Sequence, residues 1–284
     1  MKVVFFGSSK YVVPILDAIN TNHQLTLVVT TELGSQQPVK FYCHTHKIEC
    51  ISVKKAGDLL SNEPLRQKAA DIGVVADFGV ILPKQTLHLF PKGLINVHPS
   101  LLPKFRGPTP AQTAILNGDS KTGVSIIQLD EQMDHGPILA QKEEDISNED
   151  SSKTLYEKLF KESVDLVLDV LNKHAHNTII FKQQDHNLAT YTKALTRDDG
   201  FFDYTKTIDQ TYFKNFVRAY YPWPGVWTKI KLRPEEDEKV VKFLPGKKIQ
   251  VEGGKEMEYK DFINGYLDAD KLFLEFIGKE LNND

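Results

Sequence analysis

Asn96, His98 and Asp134 are the residues of this 284-residue chain whose types and spacing could do chemistry together. Asn96 and His98 stand two apart in the short β-branched run Gly93–His98. On a strand, both side chains then point to one face. A polar Asn and an ionisable His projecting together are costly to bury without partners. Taken alone, Asn-x-His reads as a satisfied core histidine beside an asparagine turn. Asp134 lies in the acidic run Asp130-Glu131-Gln132-Met133-Asp134-His135-Gly136, which by itself is a solvated hairpin tip with Gly136 in a tight turn. The chemistry arises if Asp134 folds back onto His98. A carboxylate beside an imidazole favours the charged ring and fixes its orientation, which gives a poised acid or base. Pro99 and Pro103 frame the loop after His98 and predict an extended, rigid segment whose backbone groups are free for a ligand.

Other candidates carry less. Gly7-Ser8-Ser9 follows a strand-like run and precedes a helical one, where N–H groups could hold an anion, but it lacks the spaced glycines of a dinucleotide fingerprint. Cys43, His44, His46 and Cys50 offer ligand types without a paired CxxC or histidines four apart, so no metal is expected. Gly-x-Ser-x-Gly, P-loop and His-Glu-x-x-His patterns are absent from the sequence, which argues against the usual hydrolases, nucleotide hydrolases and metalloproteases.

The elements that must position these residues alternate. Lys2–Gly7, Leu25–Thr30, Ile48–Val53, Gly73–Asp77 and Gly93–His98 are short strand-like runs, separated by helical patterns at Tyr11–Thr21, Ala56–Ala70 and Lys84–Leu89. This rhythm predicts a mostly parallel, Rossmann-like sheet covered on both faces, with ligands beyond the carboxyl ends of its strands. Thr122–Gln128 and Gly136–Gln141 predict an antiparallel edge pair, and Ser151–Leu171 a long helix. Beyond Thr196-Arg197-Asp198-Asp199-Gly200 a helix over Ile208–Tyr221 is stopped by Pro222 and Pro224. Val226–Leu232, Val240–Leu244, Lys248–Glu252 and Leu272–Ile277 then predict a small β-barrel-like, OB-like domain. The expected division is a catalytic domain over 1–195, a linker over 196–204 and a second domain over 205–284. With 35 Lys plus Arg against 38 Asp plus Glu, 40% hydrophobic residues and two cysteines, the composition is that of a soluble cytoplasmic protein rather than a disulfide scaffold. No apolar run reaches the ~18 residues that span a bilayer; no membrane partner is expected, and a monomer is.

Asn96-Val97-His98-Pro99-Ser100-Leu101-Leu102-Pro103-Lys104-Phe105-Arg106-Gly107, with Phe5-Phe6-Gly7-Ser8-Ser9, Asp77–Pro83 and Met133-Asp134-His135-Gly136, resembles the folate-dependent formyltransferase family over residues 1 to about 145. The resemblance implies catalytic roles for Asn96, His98 and Asp134, and a tetrahydrofolate-binding stretch at Ser100, Leu101, Leu102 and Pro103. It also implies a pterin slot between the backbone of Val80, Ile81 and Leu82 and the loop from Asp130 to Asp134. The implied donor is 10-formyltetrahydrofolate, with no metal. Val217–Gly225 and Gly254–Tyr266 resemble the C-terminal domain of members that act on initiator methionyl-tRNA, which is then the implied acceptor. The alternative acceptor is an amino sugar nucleotide. Members that act on methionyl-tRNA usually carry an Arg- and Lys-rich loop after the second strand, whereas Thr31–Lys40 holds one lysine and no arginine. Between Lys206 and Lys248, ten Lys or Arg face five acids, four of them in Glu235–Glu238. Lys229, Lys231 and Arg233 alternate with Ile230 and Leu232 and predict three cations on one strand face, as a phosphate backbone requires, or a mixed solvated surface.

Overall fold

A computed structural model describes residues 1–32, 37–206 and 209–281. The chain divides into two compact units: Met1–Pro110, Lys121–Asp145 and Tyr156–Thr192 form the first, and Ala111–Ser120, Ile146–Leu155 and Lys193–Asp284 the second. In chain order the elements up to the long helix are β1 (Lys2–Gly7), α1 (Val13–Asn22), β2 (Gln24–Thr31), α2 (Pro38–His46), β3 (Cys50–Val53), α3 (Ala56–Ser61), α4 (Glu63–Gln67), β4 (Ile72–Ala76), α5 (Lys84–Leu87), β5 (Leu94–His98), α6 (Pro110–Leu116), β6 (Lys121–Gln128), β7 (Ile138–Asp145) and α7 (Ser152–Ala175).

The first unit is built on a seven-stranded sheet of order β3-β2-β1-β4-β5-β6-β7. β1 to β5 are parallel, whereas β6 and β7 run antiparallel. Val3, Val4, Phe5 and Phe6 of β1 are wholly buried, as a central strand covered on both faces demands. Strand order reverses between β1 and β4, so a crevice opens at the carboxyl ends of β1, β4 and β5.

The second unit holds α8 (Gln210–Tyr220), β8 (Val226–Ile230), β9 (Lys239–Leu244), β10 (Lys248–Val251), β11 (Glu256–Glu258), α9 (Tyr259–Gly265) and α10 (Lys271–Leu281). Its antiparallel sheet runs β11-β10-β9-β8, which fits a small barrel-like domain. Asp209 caps α8 by accepting from the Tyr212 N–H at 2.8 Å; Ile208, where the helix was expected to begin, lies outside the described residues. Among the described residues no helix is long and apolar enough to cross a membrane.

Two expectations are corrected. The single helix over Ala56–Ala70 is two, α3 and α4, because Pro64 brings no N–H to the ladder and Asn62 caps a new start, accepting from Leu65 N at 3.0 Å. The strand expected at Leu272–Ile277 is α10. Asp270 caps it through the Phe273 N–H at 3.0 Å, and Phe273 and Ile277, four apart, are both fully buried. A helix is the conformation that puts both on one face.

Phe243 sits at the centre of the second core, with ring centroids 5.6 Å from Phe202, 5.1 Å from Phe213, 5.9 Å from Phe273 and 6.0 Å from Phe276. Phe243→Ala is expected to cost about 3–5 kcal/mol, measured by denaturant unfolding followed with Trp227 fluorescence. A loss below about 1 kcal/mol would show that the aromatic cluster closes over the hole.

Candidate active site

β5 carries Asn96 and His98 at its carboxyl end, opposite Ile127 and Ser125 of β6. His98 is buried, and its Nε2–H donates to the Phe105 carbonyl at 2.9 Å. With that nitrogen engaged, Nδ1 is the ring atom turned toward Asp134, whose Oδ2 lies 3.6 Å away. Asp134 comes from the loop between β6 and β7, at φ +49°, a left-handed backbone that Asp adopts more readily than most residues. Asn96 Nδ2 donates to its Oδ1 at 3.5 Å, the limit of a hydrogen bond. The tight bond to the carboxylate is instead from backbone: Gly107 N–H donates to Oδ2 at 2.7 Å. The short bond from Gly107 therefore anchors the carboxylate, Asn96 keeps its second N–H for a third group, and His98 Nδ1 can donate when the ring is protonated at both nitrogens.

A polar network, buried at Arg106 and Gln184 and reaching the surface at His186, supports this loop, and no local sequence pattern marks it as a unit. Gln184 donates from Nε2 to the carbonyls of Asp134 at 2.9 Å and Gly136 at 2.7 Å. Its Oε1 accepts from Arg106 Nη2 at 2.7 Å, and the same Nη2 lies 2.9 Å from His186 Nδ1. The His186 ring stacks on His135 at 4.0 Å, and His135 Nδ1 lies 2.6 Å from Asp130 Oδ2. Arg106 and Gly107 stand in the expected motif, but Gln184 lies in an irregular segment and His186 opens a single 3-10 turn, with no periodicity to mark either.

The loop at Ser100–Pro103 is not the extended segment with free backbone that its prolines predict. Lys104 N–H closes a turn onto Leu101 O at 3.1 Å. Ser125 Oγ donates to Ser100 O at 2.6 Å and accepts from Leu102 N at 3.0 Å, while Gln141 Nε2 donates to Leu102 O at 2.8 Å. The Leu102 side chain is buried against Ile127 and Ile138. The physical reason is the neighbouring pair of strands: β6 and β7 bring up Ser125 and Gln141, which satisfy a backbone that would otherwise be orphaned. By contrast, the backbone of Val80, Ile81 and Leu82 makes no hydrogen bond to another described residue, and Ile81 is 80% exposed. Asp130 is partly exposed, with Oδ1 accepting from Gln132 N–H at 2.9 Å.

At the carboxyl ends of β1 and β4 a cavity of about 340 Å³ is lined by Ser8, Ser9, Lys10, Thr31, Asp77 and Gly79 among others. The expected nest of N–H groups at Gly7-Ser8-Ser9 is already occupied in part: Ser8 N–H donates to Asp77 O at 3.2 Å and Ser8 Oγ to Phe78 O at 3.2 Å. Of the loop Thr31–Lys40, residues 33–36 lie outside the described residues; Glu32 pairs with Lys54 at 3.1 Å.

A family profile described as formyl transferase matches residues 1–171, well over half of the chain. Methionyl-tRNA formyltransferase of Chloroflexus aggregans is 37% identical over 237 residues, covering 80% of this chain and 76% of that protein. Among solved structures, methionyl-tRNA formyltransferase from Clostridium thermocellum superimposes with a TM-score of 0.63 at 15% identity, over 91% of this chain and 99% of that one. An N-formyltransferase from Helicobacter canadensis, solved with folinic acid and dTDP-3-aminofucose, gives 0.65 at 20% identity over 90% and 100% of the two chains. At such identities these two structures report the shared fold. On the profile match and the sequence relatives, the chain belongs to the formyl transferase family, together with these methionyl-tRNA formyltransferases.

Proposed function

We propose that this protein transfers the formyl group of 10-formyltetrahydrofolate to the amino group of initiator methionyl-tRNA, in the cytoplasm, for translation initiation. The observation that carries the chemistry is the anchored carboxylate of Asp134, held by Gly107 N–H while Asn96 and His98 stand within 3.6 Å of it. The neutral amine attacks the formyl carbon and a tetrahedral oxyanion forms. Asn96 Nδ2–H and His98, donating from Nδ1 as an imidazolium beside the Asp134 carboxylate, stabilise that oxygen as its charge develops. Asp134 accepts the proton lost by the amine nitrogen and returns it to N10 as the C–N10 bond breaks. No side chain is acylated, so no Ser or Cys nucleophile is required.

For the donor, the backbone of Val80, Ile81 and Leu82, which bonds to no other described residue, is the wall that would meet the polar edge of a pterin, and Asp130 the carboxylate that the family resemblance would put across the slot. Ser100, Leu101, Leu102 and Pro103 then act as a prebuilt ridge, shaped by Ser125 and Gln141, rather than as a strand of free donors. For the acceptor, residues 205–284 are the domain that grips tRNA, with Lys229, Lys231 and Arg233 exposed on it. The close sequence relatives named for methionyl-tRNA support this acceptor over an amino sugar nucleotide. The test is transfer of labelled formyl from 10-formyltetrahydrofolate to methionyl-tRNA, run beside a panel of dTDP-amino sugars. Formate release without acceptor, or faster transfer to a sugar, would overturn it.

A further inference from the structure

We infer that Gln184 is a positioning residue for Asp134 in the transfer step, and that Arg106 sets its orientation; this rests on the catalytic reading of Asp134 above. Gln184 is 6% exposed and lies fifty positions from Asp134 in the chain, in a segment beyond the residues matched by the family profile. Every polar group of its side chain is used: two N–H donors go to the carbonyls of Asp134 and Gly136, and the oxygen accepts from Arg106. The guanidinium fixes which way the amide faces. A flipped amide would set its NH₂ against a cation that has only donors to offer, so the N–H groups must point at the loop.

Those two bonds act where the backbone is least able to hold itself. Asp134 at φ +49° occupies a sparsely populated region, which persists only when surrounding contacts determine it. Gly107 N–H grips its carboxylate and Gln184 grips its carbonyl, so the residue is held at both ends. The next turn is equally tight, since a Cβ on Gly136 would meet the Gln128 carbonyl at 1.9 Å. Arg106 joins both grips, because it is the neighbour of Gly107 and the partner of Gln184. It is itself pinned by backbone bonds to Thr190 and Thr192, at 2.8 Å and 2.7 Å. Asp130, on the donor side of the same loop, is held by Gln132 and by His135, which reaches Arg106 through the His186 ring and makes no bond to Gln184. Gln184 therefore bears on the reacting carboxylate more than on the donor slot.

The experiment compares Gln184→Leu and Gln184→Glu in the wild-type and Asp134→Asn backgrounds. Gln184→Leu removes all three bonds; Gln184→Glu keeps an acceptor for Arg106 and loses both donors, so it guards against a packing failure. Both should lower kcat about tenfold to a hundredfold, the effect of a displacement near 1 Å at the reacting group. The donor KM should stay within about threefold, and the same changes should cost less than about twofold more once Asp134 is already Asn, because residues acting as a unit are not additive. Independently of turnover, the Gly107 amide should exchange its hydrogen about tenfold faster or more, since its acceptor has moved. Equal losses in both backgrounds, unchanged kcat or unchanged Gly107 exchange would overturn the inference. Loss of the folded state in both variants, seen by circular dichroism, would make Gln184 structural and overturn it too. If Asp134→Asn alone kept wild-type turnover, the catalytic reading would fall, while Gly107 exchange would still decide whether Gln184 positions Asp134.

Discussion

Asp134→Asn is expected to lower kcat by about three orders of magnitude with the fold unchanged, as much as losing an oxyanion donor and a general base together demands. The geometry says why so small a change matters. Asn has one acceptor oxygen where Asp has two, and Gly107 N–H, the short 2.7 Å contact, claims it. The new NH₂ then faces Asn96 Nδ2, donor against donor, where a 3.5 Å bond stood. Asn96 relieves this by flipping its amide, which turns its carbonyl toward the oxyanion it should stabilise. The proton acceptor is lost at the same time, and His98 no longer faces a carboxylate at Nδ1. His98→Ala and Asn96→Ala, each removing one donor, should cost about 10²–10³-fold. Single-turnover formylation with a thermal melt on each variant checks both parts. A rate for Asp134→Asn within about tenfold of wild type, with the fold intact, would remove Asp134 from the chemistry.

How far the sequence revealed this site depended on the range of the contacts. Asn96 and His98 share a face because period two is a local rule, and any strand there must obey it. Their meeting with Asp134 depends on the pairing of β5 with β6, which brings residues 38 apart in the chain together. No local pattern states that; the family resemblance did. Prolines report stiffness but not partners, and the partners of the Ser100–Pro103 loop, Ser125 and Gln141, arrive from other strands. Gln184 left no trace at all, since one glutamine in an irregular stretch looks like any solvated residue. The error at α10 has another source. Leu272-Phe273-Leu274 and Phe276-Ile277 are rich in residues that suit either element, and the cap at Asp270 decides between them. At α3 and α4 the deciding residue, Pro64, was visible, and the helical pattern around it obscured its meaning.

Exchanging Lys229, Lys231 and Arg233 together for glutamine is expected to flatten the salt dependence of tRNA binding by up to about three units of log Kd against log salt, since each phosphate contact contributes about 0.9. Between 50 and 200 mM salt, wild type would then lose about forty-fold more affinity than the variant, with donor binding unchanged. The three side chains are exposed while Ile230 and Leu232 between them are buried, an alternation that continues past the end of β8 at Ile230. Other cations of the stretch from Lys206 to Lys248 are less available. Arg218 is buried and spends Nη1 on the carbonyls of Ser147 and Asp150, both at 2.8 Å, and Nη2 on Asn215. Lys206 pairs with Asp203 at 3.1 Å. Arg233 also has a partner, Glu236 at 3.4 Å, but both side chains are exposed, and such pairs are worth little enough to be exchanged for a phosphate. Fluorescence titration of methionyl-tRNA over a salt series gives the slope directly. A triple variant with the wild-type slope would move the tRNA grip off this surface, and a slope change of one unit would leave a single phosphate contact there, too few to replace the basic loop that Thr31–Lys40 does not provide.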